Sequence, residues 1–334
     1  MEYQNLSADQ RAGQRLMVGF DGTALDDTLK FYIDGIKVGG LILFSRNIDS
    51  PVQVEGLCAE AQEYAALCGQ PPLFIGIDQE GGMVSRLKPP FTQFKGNPYM
   101  QSRDDAVDFA VTTGRELTGI NVNMNMAPVL DVLPPDGGPS VMQGRAFSDD
   151  PQHVAQMGTA VINYLQKENV MAVAKHFPGI GRTVLDSHED LPDLDIDAGT
   201  LAGSDLLPFQ AAIDTRVAGI MLSHIRYMGI DPHWPASLST VIAEEMLRGQ
   251  LDFQGVVMTD DLDMGAIAKH YPLAQIVEQC LHATVDILLI CHPGPKIEEA
   301  RNQILALQQD NGELIRKEED SLRRIFRLKK QFLS

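Results

Sequence analysis

The residues best suited to chemistry gather around one stretch, Met171 to Asp193. It opens as a short apolar run, Met171 to Ala174, then passes through Lys175 and His176 into a polar segment carrying Asp186 and His188. Histidines and carboxylates near one another can move protons close to neutral pH, because an unperturbed imidazole titrates at about 6.5. From Pro178 to Asp197 no helix or strand pattern is visible, so one long loop is expected. Such loops are uncommon inside a compact domain and are often functional. Further polar residues follow other apolar runs: Asp78, Glu80 and Arg86; Asn125, Asp131 and Arg145; His224; Asp260 and Asp261; and His292. Taken singly, each has a plain structural reading. Asp260-Asp261 suits a helix N-cap, Asp186-Ser187-His188 suits hydrogen bonding within a loop, and Asp78 suits a cap before the Gly81-Gly82 turn. Lys175 and His176 suit one exposed and one buried structural residue. Met100, Met124, Met126, Met142 and Met258 suit core filling.

The elements that must position these residues repeat. Eight apolar runs end in polar or glycine-containing turns: Leu16–Phe20, Gly40–Phe44, Leu73–Asp78, Val122–Ala127, Met171–Phe177, Gly219–His224, Val256–Asp260 and Asp286–Cys291. None alternates strictly, as befits strands buried on both faces of a parallel sheet. Helical periodicity covers Val52–Leu67, Ala106–Leu117, His153–Leu165, Leu206–Ala212, Leu238–Leu247, Leu273–Ala283 and Ile297–Leu307, with a last amphipathic helix from about Glu313 to Phe332. Strand and helix alternating in this way predict an α/β fold, a (β/α)8 TIM-like barrel in a single domain spanning residues 1–334. An open doubly wound sheet is the competing architecture, but Gly19-Phe20-Asp21-Gly22 fits its glycine-rich phosphate turn poorly. In a barrel, the polar residues above would meet at the C-terminal ends of the strands.

Composition narrows the partners. The net charge of −18 argues against nucleic-acid and anionic membrane surfaces, and the basic residues between Arg316 and Lys330 alternate with Leu322, Ile325, Phe326 and Leu328 as on a surface helix. No apolar run approaches the ~20 residues of a membrane span, and Met1 to Arg15 has no apolar signal core. Cys58, Cys68, Cys280 and Cys291 show no C-x-x-C spacing and suit free thiols in a reducing cytoplasm.

The motifs resemble glycoside hydrolase family 3. Lys175-His176-Phe177-Pro178-Gly179-x-Gly181, followed by Asp186-Ser187-His188 and Leu191-Pro192, is similar to the branch of β-N-acetylglucosaminidases that uses a histidine acid/base. Gly40 to Asn47, Ile77 to Gly82, Ala127 to Val132, Gly144 to Phe147, Ser223-His224 with Pro235 to Ser239, and Gly255 to Met264 extend the resemblance from about Arg11 to Met264. It implies that Asp260 is the nucleophile and His188 the acid/base, with Asp186 as its partner. Asp78, Arg145, Lys175 and His176 would hold the terminal sugar, with Arg86 a further substrate-binding candidate. No metal or organic cofactor is expected. The single-barrel form is similar to bacterial cytoplasmic enzymes that remove non-reducing N-acetylglucosamine from muropeptide fragments, and a monomer is expected.

The implied chemistry suits the residue types. Glycoside cleavage with retention uses a carboxylate at the anomeric carbon and an acid at the leaving oxygen. Asp186, two residues before His188, can accept from one ring nitrogen and leave the other free. Two positions depart from the family pattern: Ile180 stands where it has histidine, and Met83 where it has arginine. Either change bears on loop geometry or leaving-group preference. Competing readings are a family 3 β-glucosidase or β-xylosidase, a glycoside phosphorylase, and a catalytically silent sugar binder. A metal-dependent hydrolase built on His176, His188, His224 and Asp260 lacks H-E-x-x-H and an early H-x-H.

Overall fold

A computed structural model describes residues 3–309 and 311–333. Eight parallel strands close a barrel in chain order: β1 Leu16–Gly19, β2 Gly40–Leu43, β3 Phe74–Ile77, β4 Met124–Asn125, β5 Met171–Phe177, β6 Gly219–Leu222, β7 Val256–Asp261 and β8 Ile287–Ile290. β8 returns to β1, with Leu16 opposite Leu288, so the barrel leaves no open edge. Short helical segments from Asp27 to Ile36 follow β1, and a helix follows each later strand: Pro51–Leu67, Arg103–Thr118, Pro151–Lys167, Leu206–Asp214, Val241–Gln250, Leu273–His282 and Pro295–Gln309. This is the (β/α)8 barrel that the alternating pattern predicts. Several helix starts are encoded locally: Ser50 Oγ accepts from Gln53 N ahead of Pro51, Ser102 and Asp105 form a reciprocal capping box, and Asp150 precedes Pro151 and caps Gln152.

Strand parity divides the core in two. Met17, Ile42, Phe74, Met171, Val173, Met221, Val256, Met258 and Leu289 point into the barrel. Their neighbours Val18, Leu41, Ile75, Ala172, Val257 and Leu288 point outward against the helices. All five methionines assigned to core filling are buried.

The C-terminal helix, Gly312–Phe332, does more than cover a surface. Ile325, Leu328 and Phe332 join the barrel-interior cluster, so its apolar face closes the end of the barrel where the strands begin. Arg324 grips the buried Asp286 through Nε and Nη2 at 2.8–3.1 Å. Lys329, grouped with the surface basic residues in the sequence, is buried, with Nζ 2.6 Å from Gln14 Oε1.

Three expectations need correction. Residues 178–197 are not one unstructured loop, because Asp193–Asp197 pairs with Arg226–Gly229. β4 is confined to Met124–Asn125, although the chain keeps hydrogen bonds to β5 beyond it, Val173 N to the Ala127 carbonyl and Lys175 N to that of Pro128. A small hairpin, Gln79–Gly81 with Val84–Ser85, stands where only a turn was expected. All four cysteines are free. Among the described residues no helix is long and apolar enough to cross a membrane.

Candidate active site

The same parity carries charge to the C-terminal rim. Phe74 and Gly76 face inward along β3, so Asp78 and then Glu80 continue that row; Met171 and Val173 lead to Lys175; Val256 and Met258 lead to Asp260. Three strands thus deliver two carboxylates, an ammonium and a third carboxylate to one ring.

Lys175 is the hub. Its buried Nζ lies 2.7 Å from Asp78 Oδ1 and 2.7 Å from Glu80 Oε1. Arg145 binds Glu80 in bidentate fashion, Nη2 to Oε1 at 2.7 Å and Nε to Oε2 at 3.0 Å. Arg86 Nη2 stands 3.5 Å from Asp78 Oδ2. Burial would push the Asp78 carboxyl up, but Lys175 and Arg86 outweigh it and hold it at about 2. Burial likewise opposes the Lys175 charge, yet Asp78 and Glu80 raise it above the ordinary lysine value. Glu80 is held low by Lys175 and Arg145 against its own burial. The cluster is therefore fully ionised at neutral pH.

His176 is oriented from behind. Its Nδ1 lies 2.7 Å from Asp131 Oδ2, and its Nε2 lies 3.4 Å from Arg145 Nη2. Arg145 can only donate, so Nε2 accepts and Nδ1–H donates to Asp131. Asp131 Oδ1 also accepts from Ile180 N at 2.8 Å, tying the start of the segment that leads to Asp186 and His188 to the Lys175–Arg145 cluster.

Asp260 accepts from the Asp261 amide at 2.8 Å. Burial acts to raise its pKa, but His176, His224 and that amide leave it below the ordinary value. His224 packs alongside, its Nε2 donating to the Asp261 carbonyl at 2.9 Å and its Nδ1 accepting from Ser237 Oγ at 2.7 Å. Burial, the largest effect, lowers its pKa from the ordinary histidine value, against the pull of Asp260.

Asp186 and His188 form a local pair. Asp186 Oδ1 accepts from the His188 amide at 2.9 Å and from its Nδ1 at 2.8 Å. Nε2 is left for another partner. Both side chains stay open to solvent, His188 68% and Asp186 51% exposed.

These groups converge. A recess of about 170 Å³ is lined by Asp78, Arg86, Arg145, Lys175, His176, His188 and Asp260, over an apolar floor of Ile42, Met221 and Leu289. Every sequence-derived site residue except Asp186 lines it, and Asp186 is bonded to His188. Two larger recesses, about 560 and 590 Å³, flank the C-terminal helix at the opposite end; the first is lined by Arg216, Arg324 and Arg327, of which Arg324 is paired with Asp286. Glu80 and Asp131 are the functional neighbours that sequence reasoning left unassigned.

The two departures resolve differently. Ile180 is 6% exposed and packs in the core, while Met83 is 78% exposed and lies against Gly144, beside Arg145. Gly181 is required by space, since a Cβ there would lie 1.9 Å from the Val132 carbonyl oxygen. The metal-hydrolase reading loses His224, whose ring nitrogens are both engaged. Among the described residues one group, Asp261, Asp263 and His292, brings ligand atoms within 4.8 Å, but Lys296 already pairs with Asp263.

A closed parallel barrel with an ionised cluster and a flanking histidine–carboxylate pair at the C-terminal rim defines a barrel enzyme acting on a polar substrate. Residues 7–328 match the glycosyl hydrolase family 3 N-terminal domain. The chain belongs to glycosyl hydrolase family 3, and it is a glycoside hydrolase. It is 36% identical over 301 residues to a β-hexosaminidase of Thiobacillus denitrificans, covering 87% of this chain and 80% of that one. A β-hexosaminidase of Pseudomonas aeruginosa is 33% identical over 299 residues, covering 88% and 86%. Among solved structures, a family 3 β-N-acetylglucosaminidase from a Paenibacillus species superposes with a TM-score of 0.94 at 36% identity; 98% of this chain matches 63% of that one. A β-N-acetylhexosaminidase from Beutenbergia cavernae gives 0.91 at 28% identity, over 98% and 99% of the chains.

Proposed function

We propose that the protein is a retaining exo-β-N-acetylglucosaminidase that uses Asp260 as nucleophile and His188, oriented by Asp186, as acid/base. The carrying observation is that Asp260 and His188 line one small recess with Asp78, Arg86, Arg145, Lys175 and His176. In the first step the Asp260 carboxylate attacks the anomeric carbon while protonated His188 gives its Nε2 proton to the departing oxygen. Asp186 stabilises the imidazolium through Nδ1. In the second step neutral His188 takes a proton from water, which attacks the same carbon and releases Asp260. Asp78 accepts from sugar hydroxyls, while Lys175, Arg145 and Arg86 donate to sugar oxygens. The N-acetyl preference is supported by the β-hexosaminidase names of the relatives. The finer reading, a monomer trimming muropeptide-derived glycans in the cytoplasm, rests on the resemblance of the Lys175–Pro192 segment.

A panel of aryl β-glycosides, with product stereochemistry followed by NMR, tests this reading. The expected result is strong preference for the N-acetylglucosaminide over the glucoside and xyloside, first release of the β-anomer, and indifference to phosphate. Release of the α-anomer, or a phosphate requirement, would overturn it.

A further inference from the structure

Residues 184–190, which carry the Asp186–His188 pair, make hydrogen bonds to the rest of the chain, among the described residues and apart from the adjoining Leu191 amide to Asp190, only through the segment after β7. Gly265 N donates to the His188 carbonyl and Ala266 N to the Ser187 carbonyl, each at 3.1 Å. Lys269 Nζ reaches the Glu189 carbonyl at 2.6 Å, and His270 Nε2 lies 2.5 Å from Asp190 Oδ1. Four consecutive loop residues are thus seated on one short segment. Gly265 and Ala266 open a helix, where backbone N–H groups have no partner of their own and are free to hold the loop.

Gly265 is the fulcrum. A Cβ there would lie 2.5 Å from the Glu189 carbonyl oxygen and 2.7 Å from that of His188. Its φ is outside the left-handed region, so the helix itself accepts alanine. The need for glycine comes from the seated loop. The His188 ring, largely in solvent, is not fixed by burial. We infer that Gly265, Lys269 and His270 are positioning residues that seat the acid/base loop over Asp260. The inference rests on the reading of His188 as acid/base. Its consequence is that one six-residue stretch, Asp260 to Gly265, carries the nucleophile and also anchors its partner.

The test compares Gly265→Ala, Lys269→Ala/His270→Ala and His188→Ala on phenyl and 2,4-dinitrophenyl β-N-acetylglucosaminides, with thermal melting of each protein. A phenoxide leaving group needs protonation and a dinitrophenoxide does not. With acid catalysis contributing roughly 10²–10⁴-fold, G265A is expected to lose about tenfold or more in kcat/KM on the phenyl glycoside and less than about twofold on the dinitrophenyl one. Its melting temperature should fall, because the added carbon meets backbone oxygens, while the protein stays folded at the assay temperature. The double variant should show the same selective loss with the backbone seat intact, and it carries the test if G265A does not fold. Wild-type behaviour of a folded G265A, or equal loss on both substrates, would overturn the inference. If H188A itself shows no leaving-group selectivity, the acid/base reading fails instead.

Discussion

Asp78→Asn should remove a pH-dependent part of the protein's stability together with its activity. Asp78 is 16% exposed and lies 2.7 Å from Lys175 Nζ and 3.5 Å from Arg86 Nη2. Burial alone would favour the neutral acid, but the two cations bring the carboxyl from 3.8 to about 2. At about 1.36 kcal/mol per pH unit, that lowering is worth about 2 kcal/mol. Because the folded value lies below the unfolded one, this stability is present above pH 3.8 and is lost as the pH falls towards 2. Asparagine is neutral throughout and reproduces the protonated state. Urea unfolding at neutral pH should therefore find D78N less stable by about 2 kcal/mol, with the gap narrowing below about pH 4. Aryl glycosidase kcat/KM should fall as well if Asp78 takes the proposed role of acceptor for the sugar hydroxyls. A gap that stays constant between neutral and acid pH, or no gap at all, would refute the claim that the cation pair holds Asp78 ionised.

Other perturbations reach different parts of the fold. Asp131→Asn leaves the His176 Nδ1–H and Ile180 N–H bonds impaired inside the protein; differential unfolding should show a loss of about 1–3 kcal/mol, and kcat/KM should drop. Arg324→Ala strips a partner from Asp286, which keeps Arg248 at 2.7 Å and the Val257 amide at 2.9 Å, so the melting curve should reveal destabilisation of about 3 kcal/mol with kcat/KM near wild type. Gly181→Ala forces a carbon against the Val132 carbonyl and should destabilise by about 3 kcal/mol or more, visible as a lowered urea midpoint.

The barrel was legible because parallel strands buried on both faces read as continuous apolar runs, and because Ser50, Ser102 and Asp150 mark helix starts. The strand Asp193–Asp197 was missed although Leu194 and Ile196 alternate with three aspartates; aspartate is depleted in strands, and this two-stranded edge faces solvent. Asp78, Lys175 and Asp260 were legible from position at strand ends. Glu80 continues the inward row of Phe74, Gly76 and Asp78, so parity offered a signal for it that the Gly81-Gly82 turn obscured. Asp131 gave no such signal, because its role depends on the fold bringing β4 and β5 side by side. The seat on Gly265 was equally hidden, being a contact between loops from different strands.

The central claim is that Asp260 takes up the sugar. The direct measurement is to incubate the protein with an activated fluorine-substituted N-acetylglucosaminyl donor, which slows breakdown of a covalent intermediate, and to map the adduct by peptide mass spectrometry. The account requires one sugar per chain, on Asp260, and none in Asp260→Asn. A label on Asp261, or turnover of the donor with no adduct on the protein, would contradict it.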